Sequence, residues 1–201
     1  MRIAISGHRG LRAPVQALVD QAIRAALAGQ PEVTGLSCLA DGPDQIFARA
    51  VLDHGGQIEA VIPAALYRDG LPAGAHAEYD RLLACTVTVH RLPFTQSTPE
   101  AHMAASELML QHAEQLWAVW DGQPARGYGG TADVVSAARA LGLPMQVIWP
   151  PCPPPASEPV LSFAPSPRGA FCIPVPDWVY RLAGRRGLLV AWEITGWSRW
   201  R

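Results

Sequence analysis

The stretch AVWDGQPARGYGGTADVV, residues 118–135, carries the pattern that decides the fold. The apolar run 115–120 predicts a buried strand, and the pair Asp121 and Gly122 follows it directly. A glycine-rich segment, residues 127–131, then leads into a helix with periodic apolar positions. Strand, glycine loop and helix in this order are typical of α/β phosphate sites, because glycines let the backbone approach a ligand and the helix start offers unpaired N–H groups. The alternative is that the glycines serve only the geometry of a turn.

Two further predicted strands end in small or polar residues before a helix. Residues 2–6 run into Gly7-His8-Arg9-Gly10, and residues 36–40 run into Asp41-Gly42-Pro43-Asp44. Ligands of open α/β sheets bind at the carboxyl ends of strands, near the point where the strand order reverses. We therefore expect these loops to form one site with the glycine loop.

Strands and helices alternate through the first 150 residues. Predicted strands cover 2–6, 34–39, 58–62, 86–89, 115–120 and 145–149, and predicted helices cover 15–28, 43–53, 76–84, 100–113 and 131–141. Residues 63–75 and 91–99 are expected to be loops. Because each parallel connection needs a crossover, the pattern predicts an α/β doubly wound, mostly parallel sheet of about six strands with helices on both faces.

The composition changes at residue 150, which divides the chain into a body and an extension. We predict a nucleotide-binding domain over 1–149, a Pro-rich linker over 150–168 and a small Trp-rich C-terminal extension over 169–201. The extension holds four of the seven tryptophans. Residues 1–150 carry 10 arginines against 14 acidic residues, whereas residues 151–201 carry 6 against 3. We expect this tail to pack on the body, on a second subunit or on another protein.

Charge and composition exclude several classes of protein. The net charge of −1 argues against a general nucleic-acid binder. No apolar run is long enough to span a bilayer, and no signal peptide is recognisable, so we expect a cytoplasmic protein without membrane contact. The four cysteines and six histidines show no metal-ligand spacing. We expect no metal and no cofactor.

Five motifs together carry a resemblance to a known family. GHRG at 7–10, ADGPD at 40–44, Glu78-Tyr79, WDG at 120–122 and GYGGTADVV at 127–135 are all present. With them, residues 1–150 resemble the SLOG families, Rossmann-like domains related to the LOG (lysine-decarboxylase-like) phosphoribohydrolases and to the DNA-processing protein DprA. The resemblance implies binding of a nucleotide or nucleotide-derived signal, often in bacterial conflict systems, and a homodimer.

The motifs and the resemblance together nominate twelve ligand-binding residues. They imply that residues 7–9 line the phosphate or ribose end, that Asp41 and Gly42 lie at the second strand tip, and that residues 129–131 cradle phosphate. Asp41 could instead cap the following helix. The full set is Gly7, His8, Arg9, Asp41, Gly42, Asp121, Gly122, Arg126, Gly127, Gly129, Gly130 and Thr131.

One departure from the LOG pattern concerns catalysis. LOG-type enzymes place a catalytic Glu three residues after the Thr of the glycine motif, and here that residue is Val134. The acids left as catalytic candidates are Asp121, Asp133 and Glu78. Tyr79 and Tyr128 could stack on a base or could be packing residues.

Three functions follow from these observations. The first is binding or sensing of a nucleotide-derived ligand, and the second is a LOG-like nucleotide N-glycosidase. The third, DprA-like binding of single-stranded nucleic acid, is disfavoured because the body carries a net charge of −4, whereas such grooves need a basic stripe.

Overall fold

The structure, a computed structural model, describes residues 1–125 and 127–149. Arg126, the predicted linker 150–168 and the predicted extension 169–201 lie outside the described residues. The described strands and helices alternate, as the sequence predicts. They are β1 Arg2–Gly7, α1 Ala13–Leu27, β2 Thr34–Ser37, α2 Pro43–Asp53, β3 Gln57–Ala64, α3 His76–Ala84, β4 Thr88–Phe94, α4 Pro99–His112, β5 Gln115–Val119, α5 Thr131–Ala140 and β6 Met145–Val147.

The six strands form one sheet in the order β4-β3-β2-β1-β5-β6, and every described pairing is parallel. The chain builds the sheet outward from β1 to β4, then crosses back and adds β5 on the other side of β1. The order therefore reverses between β1 and β5, where Ile5 pairs with Trp117 and Gly7 with Val119. This reversal is where open α/β sheets place their ligands. The predicted doubly wound α/β fold is confirmed.

Helices cover both faces of the sheet. α2 contacts α1 and α3, and α4 contacts α5, so the right-handed crossovers put three helices in one layer and two in the other. The middles of the central strands β1 and β5 are apolar, because side chains on both faces are covered. Ile3, Ile5 and Trp117 are fully buried. α1 presents Val19, Ile23 and Leu27 to this core at helical spacing.

β4 differs from its prediction. The sequence predicted a short strand over 86–89 and a loop from residue 91, but the strand continues to Phe94. β4 lies at the sheet edge and is exposed along most of its length, so it lacks the apolar run that identifies a buried strand. Pro93 is tolerated there because one side of an edge strand needs no ladder hydrogen bonds.

The predicted loop over 63–75 contains the end of β3 and two short 3₁₀ turns, Arg68–Gly70 and Ala73–Ala75. Among the described helices, none has the length and apolar character needed to cross a membrane.

Candidate functional site

A histidine and a carboxylate join the two strand ends at the reversal point. His8 follows β1 and Asp121 follows β5, and His8 Nε2 lies 2.8 Å from Asp121 Oδ1. The backbone N–H of Gln123 also donates to Asp121 Oδ1, at 3.0 Å, and these two contacts lower the pKa of Asp121. An ionised carboxylate only accepts, so His8 Nε2 is the donor in this contact. Trp149 packs edge-on against the His8 ring, with 5.8 Å between the centroids.

Gly7 ends β1 where a side chain has no room. A Cβ at this position would lie 2.6 Å from Pro43 Cβ and 2.9 Å from Val119 Cβ. The start of α2 therefore packs directly on the end of β1. This close approach brings the β2–α2 turn to the edge of the site.

Arg9 and Asp41 form an ion pair that links the β1 loop to the β2–α2 turn. Arg9 Nε donates to Asp41 Oδ1, and the Arg9 side chain is 43 % exposed. The sequence offered Asp41 as a ribose acceptor or a helix cap. The structure instead places it against Arg9, and Gly42 is the N-cap residue of α2.

The β2–α2 turn holds a buried acid in a strained backbone. Leu39 is fully buried with a φ of 59°, a left-handed conformation that costs a branched residue about 1–2 kcal/mol. Its N–H donates to Ser37 Oγ at 2.9 Å, and its carbonyl accepts from Gln45 Nε2 at 3.3 Å. Asp44, in the first turn of α2, accepts from Ser37 Oγ at 3.2 Å and from Ala40 N at 3.4 Å. Burial raises the pKa of Asp44 to about 6, although these bonds and the charge of Arg9 oppose the shift.

The glycine loop is fixed from two sides. Gly129 has a φ of 78°, and a Cβ there would lie 2.7 Å from the Pro99 carbonyl oxygen at the start of α4. Its N–H donates to Asp133 Oδ2 at 2.9 Å. Asp133 and Val134 donate their N–H groups to the Gly130 carbonyl, whereas those of Thr131 and Ala132 have no partner among the described residues. Two donors at the positive end of α5 are thus free.

These elements enclose a cleft of about 420 Å³ over the reversal point. Eight of the residues nominated from the sequence line it: Gly7, His8, Arg9, Asp121, Gly127, Gly129, Gly130 and Thr131. Asp41, Gly42 and Gly122 lie beside it without lining it, and Arg126 lies outside the described residues. The three loops chosen from the sequence do meet at one edge of the sheet.

The remaining nominated residues lie elsewhere. Glu78 pairs with Arg49 and Arg81 outside the cleft, and its pKa is lowered, mainly by Arg81. Asp133 lies at the glycine loop, where its carboxylate accepts the hydrogen bond from the Gly129 N–H. Tyr128 is 63 % exposed outside the cleft.

Two of the positions considered from the sequence turn out to be core residues. Tyr79 is buried against Tyr67, with 6.1 Å between their ring centroids. Val134 is also buried, so the position of the LOG-type catalytic Glu points into the core.

Sequence reasoning missed several residues that line the cleft, among them Asp44, Tyr67, His102 and Trp149. Burial raises the pKa of Tyr67 and lowers that of His102, and the positive charge of Arg9 adds to the second shift. Asp44 stood within the quoted ADGPD motif, so a signal for it existed. Tyr67 and His102 come from a predicted loop and a helix face, and only the tertiary structure brings them together. In the described part of the chain no three His, Cys, Asp or Glu side chains are placed to hold a metal ion.

No protein-family model matches the sequence, and no curated protein is similar to it. Solved structures are similar. The DNA processing protein A (DprA) of Streptococcus pneumoniae matches with a TM-score of 0.52 and 18 % identity, over 80 % of this chain and 52 % of that one. DprA of Helicobacter pylori, described for its single-stranded DNA binding mode, matches with a TM-score of 0.54 and 15 % identity, over 73 % and 64 %. A molybdenum cofactor binding protein of Rippkaea orientalis matches with a TM-score of 0.48 and 10 % identity, over 75 % and 77 %.

The chain spans about half the length of the Streptococcus pneumoniae structure. At these identities the two DprA matches show the fold alone. The chain therefore has the Rossmann-like fold of the DprA-type domains, and the resemblance to SLOG-type domains predicted from the sequence is confirmed.

Proposed function

We propose that this chain binds a nucleotide or nucleotide-derived small molecule, with a phosphate at the start of α5. The observation that carries the proposal is the cleft at the reversal point, which is lined by the glycine loop and by Thr131 at the start of α5. The N–H groups of Thr131 and Ala132 have no partner among the described residues. A helix start with unpaired N–H groups binds anions through its backbone donors and dipole. The cleft volume of about 420 Å³ lies within the ordinary range of small-molecule sites.

The charges around the cleft fit a ligand with one anionic end. Arg9 lines the cleft and can form paired hydrogen bonds with a phosphate. Thr131 also lines it, and its hydroxyl has no hydrogen-bond partner among the described residues. The acids Asp44 and Asp121 line the same cleft and would repel a phosphate placed beside them. The anion therefore belongs at the glycine loop, and the uncharged part of the ligand belongs nearer the acids.

The test is a thermal-shift screen against mono-, di- and cyclic nucleotides, NAD and ADP-ribose, followed by mass spectrometry of each hit after incubation. A binding protein gains stability with its ligand and returns the ligand intact. Thr131→Val and Arg9→Gln should each reduce the shift. Arg12→Gln is the matched control, because Arg12 is exposed in the same loop and does not line the cleft. Equal shifts in all four proteins, or no shift with any compound, would refute the phosphate site.

Cleavage of an N-glycosidic bond is the second candidate, because two cleft acids have pKa values shifted in opposite directions. Burial raises the pKa of Asp44 to about 6, and hydrogen bonds lower that of Asp121. When two carboxyl groups in one site have different pKa values, the one with the higher pKa can act as an acid and the other as a base. In this candidate the C–N bond breaks as Asp44 protonates the leaving base, and Asp121 takes a proton from the water that adds to the sugar carbon. Recovery of free base and sugar phosphate, lost in Asp44→Asn, would put this candidate first.

Nucleic-acid binding is tested in the same screen. The expectation that the chain does not bind nucleic acid rests on net charge alone and stays a prediction. The homodimer, the cytoplasmic location and a protein contact through the tail also stay predictions. A single-stranded oligonucleotide should compete poorly with a nucleotide hit. Strong competition that falls steeply with salt would instead favour DNA binding.

A further inference from the structure

Two buried polar side chains face the cleft on the side away from the glycine loop. Asp44 is 7 % exposed and Tyr67 is 3 % exposed, and both line the cleft. The hydrogen bonds that Asp44 accepts from Ser37 Oγ and Ala40 N both go to Oδ2. The backbone N–H of Cys38 also stabilises the carboxylate, but no hydrogen bond to Oδ1 is formed among the described residues. The Tyr67 hydroxyl has none there either.

These free atoms are in contact with the cleft rather than sealed in the core. In the described part of the chain, one side-chain polar atom is both unpaired and closed off from solvent, and it is Trp117 Nε1. Asp44 Oδ1 and the Tyr67 hydroxyl are unpaired but not closed off. Because both atoms are open to the cleft, water or a ligand bound there can pair with them, and two such atoms at one wall suit a ligand with neighbouring hydrogen-bonding groups.

The two side chains come from neighbouring strands and feel each other electrostatically. Asp44 follows β2 and Tyr67 follows β3, which are adjacent in the sheet. Burial is the main cause of the raised pKa of Tyr67, and the nearby acidic group of Asp44 adds to it. β2 and β3 lie two and three strands from β5. At ~4.8 Å per strand, this wall is on the order of 10–14 Å from the start of α5, which leaves room for a group beyond the phosphate.

We propose that Asp44 and Tyr67 form a subsite for the vicinal hydroxyls of a pentose whose phosphate occupies the glycine loop. The inference rests on the proposed function and names the group next to the phosphate. A carboxylate oxygen accepts from one hydroxyl, and the phenol donates to the neighbouring oxygen, so a diol satisfies both free atoms. A second phosphate does not fit, because Asp44 would repel it. Asp41, the ribose acceptor expected from the sequence, is engaged by Arg9 and leaves this role to Asp44.

The test compares ribose 5-phosphate, 2-deoxyribose 5-phosphate and inorganic phosphate, by NMR titration of the full chain at pH 7.5. The wild type should bind the ribose compound about tenfold more tightly than the deoxy compound, since hydrogen bonds to charged groups are the strong ones. Asp44→Asn and Tyr67→Phe should each reduce this ratio towards one without weakening the binding of inorganic phosphate. The second variant is the milder change and guards against loss of folding in the first.

The control Ser106→Ala should keep the ratio, because the Ser106 hydroxyl bonds its own helix at the His102 carbonyl. Thr131→Val should weaken all three compounds and keep the ratio. Phosphate binding without a ribose preference, or a preference that survives in both Asp44→Asn and Tyr67→Phe, would overturn the subsite and leave the proposed function intact. Affinities for all three compounds that Thr131→Val leaves unchanged would refute the phosphate site and leave the subsite. Failure of all three compounds to bind would refute both.

Discussion

The buried acid Asp44 should make the protein less stable as the pH rises. Its pKa is about 6 in the folded state, against 3.8 for an exposed aspartate. Between these values the folded protein holds a proton that the unfolded chain has released. The stabilising contribution of protonated Asp44 is therefore complete below about pH 4 and is lost as the pH rises through about 6.

The size of the effect follows from the shift. A difference of about two pKa units, at 1.36 kcal/mol per unit, amounts to about 3 kcal/mol between pH 4 and pH 8. Asp44→Asn removes the charge, and its amide oxygen can still accept from Ser37 and Ala40. The variant should therefore match the wild type near pH 4 and exceed its unfolding free energy by up to about 3 kcal/mol at pH 8.

Urea unfolding of both proteins at one-unit intervals from pH 4 to pH 8 measures this difference directly. Asp80→Asn is the matched control, because Arg68 lowers the pKa of the Asp80 carboxyl. The contribution of Asp80 is present above the unfolded pKa of 3.8 and is lost only as the pH falls below it, so the difference between this control and the wild type should stay nearly constant from pH 5 to pH 8. A difference between Asp44→Asn and the wild type that stays constant with pH would show that Asp44 is not a buried, desolvated acid.

Three further substitutions separate packing from binding. Gly7→Ala should cost about 1–3 kcal/mol in urea unfolding, because its Cβ would overlap Pro43, whereas Gly29→Ala meets no atom and should be close to neutral. Asp133→Ala should lower the free energy of unfolding by about 1–2 kcal/mol and weaken phosphate binding, because the Gly129 N–H loses its acceptor. Unchanged phosphate affinity would mean that the glycine loop keeps its conformation without Asp133. Glu78→Gln should leave ligand binding and any turnover unchanged, since its two arginine partners hold it outside the cleft, and a loss of either would return it to the candidate catalytic residues.

Local signals in the sequence were sufficient for most of the fold. α2 begins at Pro43 after a glycine N-cap and ends before Gly55, and both of its bounds were predicted because the start and stop residues are strong. β4 was predicted too short, because an exposed edge strand lacks the apolar pattern. The parallel order was implied by the crossovers, but the position of the reversal was not. It depends on which side of β1 the fifth strand joins, and no local pattern encodes that choice.

The candidate site was predictable only where it consists of strand ends. The residues after β1 and β5 were named from the sequence, because a parallel sheet brings such ends to one edge. Asp44 was not chosen, since an acid in the first turn of a helix is ordinarily a surface residue favoured by the helix dipole. Its burial results from the close packing of Pro43 on Gly7, which is a tertiary contact.

Some groups in the β2–α2 turn and in the adjoining cleft wall lower the stability of the protein. Leu39 holds a left-handed backbone, Asp44 has a desolvated carboxyl, and the Tyr67 hydroxyl is buried without a partner in the described chain. The first two cost about 1–3 kcal/mol each, whereas a whole domain is stable by only about 5–15 kcal/mol. A wall of apolar side chains would be more stable, and strained or unpaired groups persist mainly where a ligand uses them. Asp44 and Tyr67 line the same cleft as Arg9 and the glycine loop, and Leu39 lies in the turn that carries Asp44. Their shared position is the reason to assign this wall to ligand recognition, because isolated packing faults would be scattered over the core.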